Sequence, residues 1–295
     1  MAMQISFIGL GVMGYPMAGH LAGLKEVQVR VWNRSSDKSR RWLEEYPGSL
    51  AESPAEAAAG ADLIITCVGA DPDLAALYLG PDGIMAHAPA GALLVDHTTA
   101  SAQMARNLAE EAQRRQLQWL DAPVSGGQQG AQKGQLTIMC GGEKTAFERA
   151  RPVLDVYARA INHLGAAGAG QLTKCVNQIA VAGVLQGLAE GLHFAEEAGL
   201  NREAVLQVIS QGAAQSWQMD NRSATMLAEQ YEHGFAVDWM RKDLAICLQE
   251  ARSNGAALPA TALIDQFYGD VQGIGGGRWD TSSLLERLRR NRKKP

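Results

Sequence analysis

Gln4-Ile-Ser-Phe-Ile-Gly-Leu-Gly-Val-Met-Gly14 is an apolar run that breaks directly into three glycines with G-x-G-x-x-G spacing. Helix-like sequence, Tyr15 to Leu24, follows at once. A second strand pattern, Val27 to Trp32, lies roughly 20 residues further on. Three glycines alone are a weak signal. Between a strand and a helix they form the fingerprint of a dinucleotide site. Gly9 permits the tight turn, Gly11 lets the backbone approach a pyrophosphate, and Gly14 allows the helix to pack on the strand. The helix start then offers unpaired N–H groups and a positive dipole end to phosphate. Leu10, Val12 and Met13 complete the loop and are counted with the cofactor-binding residues. The alternative is a glycine-rich turn with no ligand.

The end of the second strand selects the dinucleotide. NAD enzymes usually place Asp or Glu there to accept hydrogen bonds from the ribose 2′-hydroxyl. Here the strand runs into Asn33-Arg34-Ser35-Ser36, with Lys38 just beyond. Asn33 does not repel a 2′-phosphate, Arg34 can grip one with its planar fork, and Ser35 and Lys38 can assist. NADP is therefore expected in preference to NAD, with NAD still possible. The alternative leaves Arg34 and Lys38 solvated and Ser36 as a helix cap.

Working outward, strand and helix patterns alternate to about residue 163: Ile5–Ile8, Val27–Trp32, Leu63–Val68, Leu93–Asp96, Leu117–Ala122, Leu136–Cys140 and a short Ile161–Leu164. The alanine-rich segment Pro54–Ala59 reads as one of the helices between them. Such alternation predicts an α/β fold, an N-terminal Rossmann doubly wound sheet. Beyond Gly168 the patterns are helical, at about 170–198, 202–211, 216–229, 238–254, 260–273 and 281–290. The expected division is a cofactor domain over 1–164 and an all-α domain over 165–295, joined by a long interdomain helix. Gly183, Gly187 and Gly191 share one face of that helix, which predicts close approach of another helix from the same chain or from a second subunit.

Whole-chain properties exclude several classes. At 295 residues with a net charge of −4, the chain has no electrostatic footprint for nucleic acid. The basic run Arg287 to Lys294 reads as a solvated helix end. The four cysteines lack CxxC spacing and sit mostly in apolar runs, so they read as reduced cysteines of an intracellular protein, and no metal is expected. No signal peptide or membrane-length apolar run is visible, which makes the cytoplasm the expected location.

Three segments can carry chemistry. Val95-Asp96-His97-Thr98-Thr99 ends a strand where open α/β sheets bind ligands. Thr99 can bond cofactor or substrate, or both threonines can cap the helix beginning near Ser101; His97 reads as a surface or structural histidine rather than an acid. Asp121-Ala-Pro-Val-Ser125-Gly126-Gly127 sets a hydroxyl beside successive backbone N–H groups, which can cradle a carboxylate or form a simple turn. On the long helix, Lys174, Asn177 and Gln178 stand at i, i+3 and i+4, on one face. A lysine partly removed from water there gives up its proton more readily, which suits proton transfer. Asn177 can orient that lysine or a substrate oxygen.

Five segments in order resemble the β-hydroxyacid dehydrogenase family: Phe7 to Ala18, Asp121 to Gly127, Gly134 to Gly142, Gly170 to Gln178, and Lys242-Asp243-Leu244. The resemblance covers nearly the whole chain and implies an NADP- or NAD-dependent oxidoreductase acting on a small carboxylate-bearing substrate. It implies Lys174 as general acid, Asn177 as its partner, and Ser125, Gly126 and Gly127 as the carboxylate cradle. Thr99 and Lys242 would contact the nicotinamide end. Val68-Gly69 replaces a common Leu-Pro pair near the cofactor, and Gln178, counted with the substrate-binding residues, stands where many members have a second Asn and could tune substrate choice. Phe235 and Trp217 are candidates for the pocket or for the core. A homodimer or homotetramer is expected, with neither nucleic acid nor membrane as partner. The rival readings are an imine reductase, in which Asp or Tyr usually replaces this lysine, and a non-catalytic dinucleotide-binding scaffold. The length disfavours 6-phosphogluconate dehydrogenase, whose helical domain is much larger.

Overall fold

The computed structural model describes residues 2–290. They divide into two compact units, Met1–Lys174 and Cys175–Pro295. The first unit carries nine strands: β1 (Met3–Ile8), β2 (Val27–Trp32), β3 (Ser49–Leu50), β4 (Leu63–Thr66), β5 (Leu93–Asp96), β6 (Gln118–Asp121), β7 (Val124–Ser125), β8 (Leu136–Gly142) and β9 (Ala158–His163). Its helices are α1 (Gly14–Ala22), α2 (Ser36–Glu45), α3 (Pro54–Ala58), α4 (Asp71–Leu79), α5 (Ile84–His87), α6 (Ala102–Arg114), α7 (Gly127–Gln132) and α8 (Lys144–Leu154).

The strand order is β3-β2-β1-β4-β5-β6-β8-β7, with β9 on β8. From β3 to β6 every pairing is parallel. The strands β4 (Leu-Ile-Ile-Thr) and β5 (Leu-Leu-Val-Asp) are buried at every position. Covered on both faces, such strands show apolar runs in place of alternation. Helices bury one apolar cluster on each face. Met17, Leu21, Trp42, Phe147 and Tyr157 belong to one cluster, and Leu74, Tyr78, Ile84, Leu108 and Trp119 to the other. Each such side chain contributes roughly 1.5–3 kcal/mol through burial. Helix starts follow local chemistry: the Ser53 hydroxyl accepts from Glu56 N ahead of Pro54, and the Ser101 hydroxyl accepts from Met104 N.

The sheet is parallel-rich but mixed, because β8 pairs antiparallel with β6 and with β7. The two-residue strands β3 and β7 were not among the expected elements. The last strand begins at Ala158, earlier than Ile161, and β4 ends at Thr66 rather than Val68.

The long helix α9 (Ala169–Glu197) begins in the first unit and continues into the second. The second unit adds α10 (Arg202–Ile209), α11 (Trp217–Leu227), α12 (Val237–Asn254), α13 (Pro259–Gly273) and α14 (Leu284–Arg290). Leu185, Leu192, Met226, Met240, Tyr268 and Leu284 form its core. The helix α12 ends on Gly255 at φ +81°, a left-handed cap. The expected basic helix end falls on α14 as far as Arg290; residues 291–294 lie outside the described residues. Among the described residues, no helix is long and apolar enough to cross a membrane. Among the described residues, added side-chain carbons at Gly183, Gly187 and Gly191 would meet nothing within 4 Å.

Candidate active site

The turn from β1 into α1 is fixed by sterics. Gly9 has φ +101°, and a side-chain carbon there would overlap the Cys67 carbonyl oxygen; one at Gly14 would overlap the Gly9 carbonyl oxygen. Gly11 differs, since nothing lies within 4 Å of the position its side chain would take. Asn33 holds the turn from the end of β2: its Oδ1 accepts from Leu10 N at 2.9 Å, and its amide donates to Ser35 O at 3.0 Å. The α1 start carries no side-chain cap. An open backbone at Gly11 beside an uncapped helix start fits a dinucleotide pyrophosphate. Leu10 is buried and Met13 packs against the core, so their side chains face inward, while Val12 is exposed.

Arg34, Ser35 and Lys38 are exposed beyond β2. The Arg34 guanidinium is 90% exposed and lies 3.6 Å from Asp73. A surface pair of this kind contributes about 0–1 kcal/mol and leaves the fork accessible to another anion. Ser35, not Ser36, is the residue ahead of α2, and it caps without a side-chain hydrogen bond.

At the carboxyl ends of β4, β5 and β6 the polar side chains interlock. Thr98 Oγ1 accepts from Val68 N at 2.9 Å, and Ser101 caps α6, so Thr98 is not the helix cap. Thr99 is half-buried, as are Val68 and Gly69. Asp96 accepts from Thr66 Oγ1 at 2.7 Å and Thr98 N at 3.1 Å; burial pushes its carboxyl up to about 7, against the pull of those donors. His97 is buried and neutral, held down to about 4 by desolvation. Its Nδ1 faces Ala122 O at 2.6 Å and so carries the proton, leaving Nε2 to accept from Tyr157 Oη at 2.9 Å. His97 is structural.

Asp121, at the end of β6, is fully buried. Its oxygens accept from Gly168 N at 2.8 Å and Gln171 N at 3.0 Å, at the start of α9. Burial pushes its carboxyl up to about 6, partly offset by those N–H groups. Gln171 donates to Thr98 O at 2.8 Å and accepts from Ala100 N at 3.0 Å. Lys174, three residues on, is 7% exposed. Ser125 forms β7 and is half-buried, whereas Gly126 (φ +132°) and Gly127 (φ +61°) are exposed and open α7.

In the second unit, Asn177 donates to Gln178 Oε1 at 2.8 Å, and Gln178 Nε2 donates to Asp243 Oδ2 at 2.6 Å. The buried Asp243 also pairs with Lys242 Nζ at 3.0 Å, and that ammonium lies 5.9 Å from the Trp239 ring centroid. Both ends of the Gln178 amide are thus engaged within the protein. Phe235 packs at the edge of the helical core, and Trp217 is exposed at the start of α11 with Arg222 over its ring at 5.2 Å. Sequence reasoning named Asp121 and Asp243 only as motif letters and gave Gln171 no role. Their partners lie in other segments, and the only local sign was a carboxylate at an apolar strand end or helix face.

Two family models together span the chain. The NAD-binding domain of 6-phosphogluconate dehydrogenase matches residues 4–165, and the NAD-binding model of NADP-dependent 3-hydroxyisobutyrate dehydrogenase matches 168–288. An uncharacterised oxidoreductase of Shewanella frigidimarina is 56% identical, covering 98% of this chain and 99% of its own. The 3-hydroxyisobutyrate dehydrogenase of Pseudomonas aeruginosa is 35% identical over 90% of this chain and 91% of its own. The solved 3-hydroxyisobutyrate dehydrogenase of Mycobacterium tuberculosis, with L-serine, superimposes with a TM-score of 0.87 at 30% identity, covering 98% and 100% of the two chains. The glycine turn, the strand-end polar network and these matches agree, and the chain belongs to the β-hydroxyacid dehydrogenase family of NAD(P)-dependent oxidoreductases.

Proposed function

We propose that this oxidoreductase interconverts a small hydroxy acid with its semialdehyde or oxo acid, prefers NADP(H) to NAD(H), and uses Lys174 as general acid and base. The observation that carries the reading is the placement of Lys174. It is a buried lysine one turn into a helix whose start is bonded to the segment after β5, at the ligand-binding end of the sheet. The nicotinamide group supplies or accepts the hydride at the substrate carbon. In reduction Lys174, as ammonium, donates its proton to the carbonyl oxygen, and its charge stabilises that oxygen as it becomes an oxyanion. In oxidation the amine takes the hydroxyl proton. The Ser125 hydroxyl and the N–H groups of Gly126 and Gly127 hold the substrate carboxylate.

Thr99, Asn177 and Lys242 take their roles from the family resemblance, with Thr99 and Lys242 toward the nicotinamide end and Asn177 orienting the lysine or the substrate oxygen. Asn33 in place of an acid, next to the exposed Arg34, supports the preference for NADP(H). The same reading takes the exposed face of α9, which includes Val176 and Phe194 beside Gly183 and Gly187, as a contact between subunits of a homo-oligomer. Light scattering tests this; a monomer at working concentration contradicts it.

The substrate reading is tested by NADPH oxidation with a panel of small semialdehydes, glyoxylate and cyclic imines. Turnover of carboxylate-bearing aldehydes or oxo acids is expected. Turnover of imines alone would change the reaction class, and no turnover with any member would favour a non-catalytic dinucleotide-binding protein.

A further inference from the structure

We propose that Asp121 is a positioning residue for the reaction, its carboxylate gripping the start of α9 and thereby setting where the Lys174 ammonium sits. The proposal rests on the reading of Lys174 as the acid and adds the device that aims it.

The geometry is that of a helix cap supplied from a distance. Ordinary N-caps come from the residue next to the helix, as Ser101, Asn201 and Ser216 do here. A local cap stabilises its helix wherever the helix goes. Asp121 lies 47 residues before Gly168 and 50 before Gln171, at the last position of β6, and accepts from both of their N–H groups, one on each carboxylate oxygen. A cap taken from a sheet strand therefore also fixes the helix start against the end of that strand. Gln171 adds a second tie, its amide spanning Thr98 O and Ala100 N after β5. Lys174 follows Gln171 by three residues, so it stands one helical turn above the anchored point, on the same side.

The surrounding packing accommodates this carboxylate closely. A side-chain carbon on Gly170 would lie 2.8 Å from Asp121 Oδ2 and 2.7 Å from Asp121 O, so the helix start approaches as near as glycine permits. An anion at this place also suits the positive end of α9. Burying a carboxylate is costly, and two backbone donors with a helix dipole offset that cost in part. A neutral amide of the same size would accept from only one of the two N–H groups, whereas the carboxylate takes both. The acid is explained by what its grip locates.

The Asp121→Asn variant of the full chain is the direct test. Its amide can keep one acceptor, but the other position would set N–H against N–H, either at Gly168 or at Gln171. The expected result is a fall in kcat of at least about tenfold, the scale of a misplaced reacting group. KM for the carboxylate substrate and Kd for NADPH, read by fluorescence titration without turnover, stay within about threefold. In parallel, mass-spectrometric labelling of Lys174 by acetic anhydride speeds up at least about fivefold, because the lysine is no longer held in its buried place.

Wild-type kcat and wild-type labelling in Asp121→Asn would overturn the proposal. Should that variant fail to fold, Asp121→Ser takes its place; it is smaller and its single oxygen cannot span both N–H groups, so at least about a threefold loss of kcat and an unchanged NADPH Kd are expected, and wild-type kcat there overturns it equally. Lys174→Ala, assayed alongside, separates the two claims. If that variant loses turnover while Asp121→Asn keeps it, only the positioning role fails. If Lys174→Ala keeps turnover, the general-acid reading fails first.

Discussion

Gln178 donates its side-chain amide to the buried carboxylate of Asp243 at 2.6 Å, joining α9 to α12 inside the helical unit. The same carboxylate holds Lys242 at 3.0 Å, and the other end of the Gln178 amide accepts from Asn177. Asn177, Gln178, Asp243 and Lys242 are thus one chain of contacts. Two residues expected to touch substrate or cofactor, Asn177 and Lys242, sit at its ends.

Such a chain predicts non-additive mutations. Gln178→Ala and Asp243→Ala each leave a polar partner unsatisfied in a buried place. In a double-mutant cycle by chemical denaturation, the two are expected to show a coupling of at least about 0.5 kcal/mol. Additivity within about 0.3 kcal/mol would mean the contact is incidental.

The two glycines of the first turn are predicted to fail in different ways. Gly9→Ala forces a side chain into a left-handed residue against the Cys67 carbonyl. It should lower Tm and weaken NADPH binding together, since strain of this kind costs roughly 1–3 kcal/mol. Gly11→Ala meets open space, so Tm should stay within about 1 °C. NADPH affinity should still fall at least about tenfold, the added methyl occupying the room a pyrophosphate needs. Unchanged affinity in Gly11→Ala would remove the pyrophosphate from this turn.

Cofactor selectivity is expected to sit on Arg34. Among the described residues, its guanidinium pairs with the side chain of Asp73, itself 43% exposed. Arg34→Ala should raise the Kd for NADPH at least about tenfold, as a charge-assisted phosphate contact is lost. The Kd for NADH should move less than about twofold, because NADH lacks the 2′-phosphate. Equal losses for both cofactors would contradict the assignment.

The buried Asp96 gives a pH signature. Folded, it holds its proton up to about pH 7, against an ordinary value of 3.8, so between those values the folded chain binds a proton that the unfolded chain has released. The resulting stability is complete below the ordinary value and is lost as pH rises through 7. Thr66, Thr98 and Asp121 surround the group, with Tyr78 beyond Thr66, and all are shared by the variant. Between pH 5 and 8, wild-type Tm should fall by at least about 2 °C more than that of Asp96→Asn. Parallel Tm curves would contradict the buried neutral acid.

Much of this was legible in the chain itself. The bounds of β2 and β5, and α9 to within a residue at each end, follow from local periodicity, and the glycine turn follows from three residues with separate steric duties. Strand direction does not. An apolar run such as Leu136–Cys140 has the same side-chain pattern parallel or antiparallel, and only the structure turns β8 around. The strands β3 and β7 are two residues long, too short to show a period. The polar partners were hidden for another reason. Nothing near Asp121 reveals that its carboxylate closes on Gly168 and Gln171, and Thr98, legible as a helix cap, is taken by Val68 N instead. Side-chain chemistry was readable residue by residue, whereas the pairing came from the folded sheet.

Single-turnover reduction by Lys174→Ala, preloaded with NADPH, interrogates the proposed proton donor most directly. A hydride-transfer rate at least about a hundredfold below wild type is expected, the usual scale for a lost general acid, with the Kd for NADPH unchanged. A wild-type rate in that variant would contradict the account.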